Sequence, residues 1–223
     1  MIEIVELNRY FDTQKEKFYA LKNINLKIEK GEFVVLSGVS GSGKTTLLSL
    51  IAGMDKPNSG VVLIDGEPIV KLPDQHLSKF RNEHIGIIFQ HYNLLENLSV
   101  YDNVATPLIP MKLSLKEIDK RVKEALKIAN ISHKSNSIAS RLSGGEKQRT
   151  AIARALVTNA PIILCDEPTA NLDKANRDIF LDILKELHNM NKTIIVSTHD
   201  PIFKNLDFVT REIAIVDGEI ILK

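Results

Sequence analysis

The stretch that most constrains the fold is Phe33-Val34-Val35-Leu36-Ser37, which runs without interruption into Gly38-Val39-Ser40-Gly41-Ser42-Gly43-Lys44-Thr45. A continuous apolar strand of this kind needs cover on both faces, which is the habit of a parallel sheet. The glycine-rich turn then delivers the chain into a helix, predicted over Thr45 to Ala52 and closed by Gly53. Ile85 to Phe89, Ile162-Ile163-Leu164-Cys165 and Thr193-Ile194-Ile195-Val196 read as further buried strands, with a helix over Ile179 to Leu187 between the last two. A chain built this way is committed to an α/β core.

Other segments follow different periods. From Ile2 to Ile28 apolar and polar residues alternate, as in Leu21-Lys22-Asn23-Ile24-Asn25-Leu26-Lys27-Ile28, which predicts half-buried strands with one wet face. Val61 to Ile64 with the Asp65-Gly66 turn is a strand, and Glu212 to Val216 with Glu219 to Leu222 around Asp217-Gly218 is a hairpin. Helical spacing returns at Leu115 to Ala129 (Ile118, Val122, Leu126, Ala129) and again at Glu146 to Thr158. These predict an antiparallel β edge and a mostly helical insert over about Tyr92 to Thr158.

At 223 residues one elaborated domain is the expectation. A net charge of +1 offers no bulk attraction to nucleic acid or an anionic membrane. The single cysteine, Cys165, excludes an internal disulfide and reads as a small buried hydrophobe. No apolar run approaches the ~20 residues of a membrane helix. The start, Met1-Ile2-Glu3-Ile4-Val5-Glu6, is acidic and alternating, unlike a signal sequence, so a cytosolic protein is expected.

Three constellations carry chemistry. Glycines at 38, 41 and 43 let backbone N–H groups wrap phosphates, with Lys44 reaching the β- and γ-phosphates and the Thr45 hydroxyl placed for Mg²⁺. Asp166-Glu167-Pro168 closes an apolar strand. Asp166 would serve a metal's water shell and Glu167 would polarise an attacking water, where an isolated Asp-Glu is as a rule a solvated strand end. His199, in Thr198-His199-Asp200, suits a γ-phosphate sensor, although a lone histidine at a strand end is usually structural. Histidines 76, 84, 91, 133 and 188 receive only that structural reading. Gln90 ends another strand with an amide oxygen for metal or water. Leu142-Ser143-Gly144-Gly145-Glu146-Lys147-Gln148-Arg149 is a second glycine-rich turn leading into a helix, a spare phosphate surface for a nucleotide held by a second copy.

Over nearly its whole length the chain resembles the ATP-binding cassette (ABC) ATPases. Gly38 to Thr46 resembles their Walker A, Gln90 their Q-loop and Leu142 to Glu146 their signature motif. Ile162 to Glu167 resembles Walker B, Asn171-Leu172-Asp173 the D-loop, and His199 the switch histidine. Phe11, beside Tyr10, falls where that family stacks an aromatic on adenine; the other reading of Phe11 is a buried core aromatic. The resemblance implies a P-loop NTPase (RecA-like) α/β core with an antiparallel β subdomain and an inserted helical subdomain. It also implies one domain over 1–223, with catalytic core and β subdomain over 1–91 and 159–223 and the helical subdomain over 92–158.

The resemblance implies a mechanism too. Two copies pair head to tail, with ATP held between Gly38, Ser40, Gly41, Ser42, Gly43, Lys44, Thr45 and Thr46 of one and Ser143, Gly144, Gly145 and Glu146 of the other. Glu167 acts as general base, Thr45, Gln90 and Asp166 surround Mg²⁺, Lys44 and His199 hold the γ-phosphate, and Asp173 crosses the interface. The implied setting is the cytoplasmic face of the inner or plasma membrane, with a permease-like membrane subunit as partner and no nucleic acid. Ala20-Leu21-Lys22-Asn23, Phe89-Gln90 and Asn93-Leu94-Leu95 look closest to the lipoprotein-release, macrolide-export and cell-division (LolD, MacB, FtsE) branch. A regulatory ATPase of a cell-wall or division complex and the ATPase of a solute uptake system are the alternatives. The apolar segment His91 to Val100 is expected either to line a groove for a coupling helix or to be subdomain core.

Overall fold

The computed structural model describes residues 1–12 and 16–221. The predicted hairpin end at Leu222 therefore lies outside the described residues. Strands β1 (Ile2–Asp12) and β2 (Lys17–Ile28) pair antiparallel and are followed by β3 (Phe33–Ser37), helix α1 (Lys44–Ile51), β4 (Ser59–Ile64) and β5 (Glu67–Pro68). Then come α2 (Asp74–His84), β6 (Ile85–Ile88), α3 (Val100–Ala105), α4 (Leu115–Ile128) and α5 (Gly144–Leu156). β7 (Ile162–Asp166), α6 (Lys174–Asn189), β8 (Thr193–Thr198), β9 (Arg211–Val216) and β10 (Glu219–Ile221) complete the order.

Two sheets result. The smaller is antiparallel, ordered β2-β1-β4-β5; the larger is ordered β10-β9-β3-β8-β7-β6. In the larger sheet β9, β3, β8, β7 and β6 run parallel and only the edge strand β10 is antiparallel.

The apolar runs make sense once both faces are seen. Val34, Leu36, Ile162, Leu164 and Ile195 enter one core with α1 and the antiparallel sheet, beside Ile2, Leu7, Leu47 and Val62. Their neighbours Phe33, Val35, Ile163, Cys165, Ile194 and Val196 enter the other core with α5, α6 and the insert, beside Val104, Val122, Ile152 and Leu184. Successive strand residues point to opposite faces, so a strand covered twice shows no polar positions.

Two helices escape the sequence pattern. α2 buries only Leu77, so it has no apolar stripe to read. α3 is short, and Ser99 starts it by accepting from the Asp102 N–H. α6 begins at Lys174, ahead of the predicted Ile179, because Asp173 caps it and its first turn is polar.

Candidate nucleotide site and the family of the chain

The turn after β3 is shaped by glycines. Gly43 has φ 108°, and a Cβ there would collide with the Ala20 carbonyl oxygen; at Gly38 one would run into the Ile215 carbonyl and Ser42 Oγ. Lys44, the first residue of α1, is almost wholly buried and folds back over this loop, donating to the carbonyls of Gly38 (2.9 Å) and Val39 (3.0 Å). Its Nζ lies 3.6 Å from Glu167 Oε1. Ser40, Gly41 and Thr45 are exposed on the same turn, with Thr46 half-buried behind them.

The ends of β7 and β8 bring the remaining groups. Asp166 Oδ1 accepts from Thr45 Oγ1 at 2.9 Å and from Ser197 Oγ at 2.5 Å. Glu167 takes the left-handed conformation, φ 42°, while its N–H donates to the Ser197 carbonyl at 2.9 Å. That kink turns its carboxylate toward His199, whose Nδ1 lies 3.0 Å from Oε2. Lys44, Thr45, Asp166, Glu167 and His199 thus share one cluster at the C-terminal ends of parallel strands. Sequence reasoning passed over Ser197. Its only signal was a hydroxyl closing an apolar strand.

Gln90 makes no hydrogen bond to this cluster among the described residues; its carbonyl accepts from Asn171 Nδ2 at 3.4 Å. Asp173 caps α6, accepting from the Asn176 N–H at 2.8 Å, and this hydrogen bond is the chief reason its carboxyl is held below its ordinary value. Phe11 is 45% exposed, which removes the core-aromatic reading; the Arg9 guanidinium sits 4.4 Å from its ring centre.

The second glycine turn stands apart. Ser143 caps α5 in a reciprocal box: its Oγ accepts from the Glu146 N–H at 3.3 Å and its own N–H donates to Glu146 Oε2 at 2.8 Å. Gly145 admits no side chain because Asn176 fills the space beside it. Asn176 Oδ1 accepts from Arg149 at 2.6 Å, tying the start of α6 to α5. Among the described residues no hydrogen bond or ion pair joins 143–146 to 38–46.

An open groove of about 1400 Å³ lies between α2, the edge strand β6 and the end of α5, lined by Met54, Arg81, Phe89, Met111, Arg154 and Thr158 among others. Residues 91–100 do not line it. Within that segment Val100 is fully buried and Leu94 packs on the insert core, while His91, Asn93, Leu95, Glu96, Asn97 and Leu98 are exposed, so only its end is subdomain core and the rest forms surface. Arg154 Nη2 donates to the Tyr92 carbonyl at 2.6 Å and Nη1 to that of Asn93, holding the segment after Gln90 against α5.

Comparison with known proteins places this geometry. The family described as "ABC transporter" matches residues 21–170. The macrolide export ATP-binding/permease protein MacB of Mannheimia succiniciproducens is 46% identical over 222 residues, 99% of this chain but 34% of that protein, so the chain spans about a third of that relative. The lipoprotein-releasing system ATP-binding protein LolD of Buchnera aphidicola is 41% identical over 201 residues, covering 90% of this chain and 88% of that one. A bacterial ABC transporter cassette solved as a dimer superimposes with a TM-score of 0.91 at 42% identity, over 99% of this chain and 96% of that one. The same cassette has also been solved as a dimer bound to ADP and Pi. With the phosphate loop, the paired carboxylates and the signature turn in one α/β core, the chain belongs to the ABC transporter family, as an ATP-binding cassette of the branch that includes MacB and LolD.

Proposed function

We propose that this chain hydrolyses ATP only as a pair of copies, each supplying half of two composite sites, and that it thereby drives a membrane subunit. The observation that supports the reading is the separation within one chain of the Lys44, Thr45, Asp166, Glu167 and His199 cluster from a second glycine-rich turn capped by Ser143 and Glu146. Glu167 is the general base, held between Lys44 and His199; Lys44 and the loop N–H groups bind the β- and γ-phosphates; His199 contacts the γ-phosphate. Ser40, Gly41, Gly43 and Thr46 complete the loop, and Phe11 stacks on adenine. Ser143, Gly144 and Gly145 close over the nucleotide of the other copy on a turn that Glu146 caps, and Asp173 reaches across the interface.

The residues suit both ligands. Ser42 Oγ is buried without a hydrogen-bond partner inside the loop, a donor available to a phosphate oxygen. Thr45, Asp166 and Ser197 offer only oxygen atoms, and among the described residues no cluster of three or more His, Cys, Asp or Glu forms a protein-only cage. That set fits Mg²⁺, which is held by one or two carboxylates together with phosphates and water. Thr45, Asp166 and Gln90 would hold it, and when bound it offsets phosphate charge. Catalytic core and β subdomain correspond to 1–91 and 159–223, the helical subdomain to 92–158.

The membrane partner is a permease-like subunit, and the chain works on the cytoplasmic face of the membrane. What supports this is the kinship with MacB and LolD, whose names describe export and lipoprotein release. No helix among the described residues is long and apolar enough to cross a membrane.

Glu167→Gln tests the chemistry. It is expected to lower turnover by roughly 10²–10⁴-fold, the scale for a general base, while retaining ATP binding and accumulating an ATP-bound dimer. Steady-state hydrolysis near the native rate would remove Glu167 from its role.

A further inference from the structure

The signature turn carries a charge that a phosphate-binding surface would be expected to lack. Glu146 stands on the first turn of α5 with its Oε2 2.8 Å from the Ser143 backbone nitrogen. It therefore uses one of the N–H groups that a helix N-terminus would otherwise offer an anion, and it sets a negative charge beside the hydroxyl assigned to phosphate. Its other oxygen, Oε1, lies 3.1 Å from Lys134 Nζ. Lys134 does not belong to α5. It ends the 3₁₀ turn Ser132–Lys134, and its N–H donates to the Ile131 carbonyl at 3.0 Å. The same segment is fixed to α3 by donation from the Val100 and Tyr101 N–H groups to the Ser137 and Ser135 carbonyls, each at 2.9 Å. An ammonium from a separate, anchored turn is thus brought onto this one carboxylate.

We propose that Lys134 is a positioning residue of the signature turn: by neutralising Glu146 it lets Ser143 and the α5 N-terminus accept the γ-phosphate of an ATP held by a second copy. The proposal deepens the composite-site reading and rests on it. The Glu146 carboxyl is held down to about 2, chiefly by the Ser143 N–H and then by Lys134, so the charge is present throughout the working pH range. The pair is partly exposed, at 39% for Lys134 and 16% for Glu146, so removing the ammonium leaves the fold intact.

The experiment uses the full chain in the Glu167→Gln background, which retains ATP. Three quantities are read: ATP binding by the monomer, the ATP concentration giving half-maximal dimer by sedimentation, and the thermal midpoint without nucleotide. Lys134→Ala is expected to leave monomer binding unchanged and to raise the half-maximal concentration about three- to tenfold, the scale of one partly screened charge. Glu146→Gln keeps the capping geometry but loses the charge–dipole attraction, so its thermal midpoint falls while its dimer forms at equal or lower ATP. A purely structural role would move both in the same direction. The double variant should dimerise like Glu146→Gln alone. If it is as weak as Lys134→Ala, or if Lys134→Ala dimerises normally, the proposal is overturned. Ser143→Arg is the control for the underlying reading: normal dimers there would sink the composite site itself, whatever Lys134 does.

Discussion

Gly43 and Gly41 occupy the same loop, both with positive φ (108° and 80°), yet their surroundings differ. A Cβ at 43 would collide with the Ala20 carbonyl, and one at 41 would meet nothing within 4 Å. Gly41→Ala therefore carries backbone strain alone, about 1 kcal/mol. Gly43→Ala adds a clash with fixed backbone and is expected to cost roughly 1–3 kcal/mol more, within the range of local strain and overpacking. Urea unfolding should rank the two in that order, and ATP binding should fail first in Gly43→Ala, because Lys44 follows directly. Equal unfolding midpoints would mean the loop relaxes around position 43. Both glycines were visible in the loop pattern; their difference was not, because the neighbour of Gly43 comes from β2.

The first turn of α5 makes the case at the scale of an element. The spacing predicts a helix over Glu146 to Thr158, and the structure starts it two residues earlier, at Gly144, because Ser143 and Glu146 close a reciprocal capping box. Loss of the serine oxygen in Ser143→Ala should destabilise by about 0.5–2 kcal/mol. The folded-state depression of Glu146 from 4.5 to about 2 fixes the pH behaviour. A carboxyl lowered on folding contributes fully above its unfolded value, and the contribution fades as pH falls from about 4.5 toward 2. Denaturation midpoints measured from pH 5.5 down to 2.5 should therefore drop less steeply in Glu146→Gln than in the native chain, and parallel curves would refute the assignment. α2 shows the opposite limit: with only Leu77 buried, nothing in its sequence marks a face.

Among the described residues the cluster around Lys44 and Glu167 is not joined to the glycine turn at Ser143, and the composite-site reading this supports can be tested by mixing. Lys44→Ala loses the phosphate loop but keeps a working signature turn; Ser143→Arg has the reverse defect. Each alone should be inactive. Mixed in equal amounts, half of the dimers are mixed and each has one intact composite site, so turnover should rise to about a quarter of native. No recovery at any ratio would mean that hydrolysis needs both sites intact or that each chain works alone. ATP-dependent sedimentation of the mixture separates those outcomes.

By itself the sequence determined the buried strands, the turn that follows β3, the acidic end of β7 and the family these add up to. Periodicity and turn chemistry are local properties, expressed within a few residues. Tertiary structure decided which of those pieces touch. Thr45 reaches Asp166 across 121 residues, and Ser197 joins them, only because the sheet order sets β3, β8 and β7 side by side. It also buried Val100 while leaving Leu95 and Leu98 on the surface of the segment after Gln90, and it set Lys134 against Glu146. No periodic signal encodes such pairings, since they depend on where two separately anchored turns come to rest after the cores have packed.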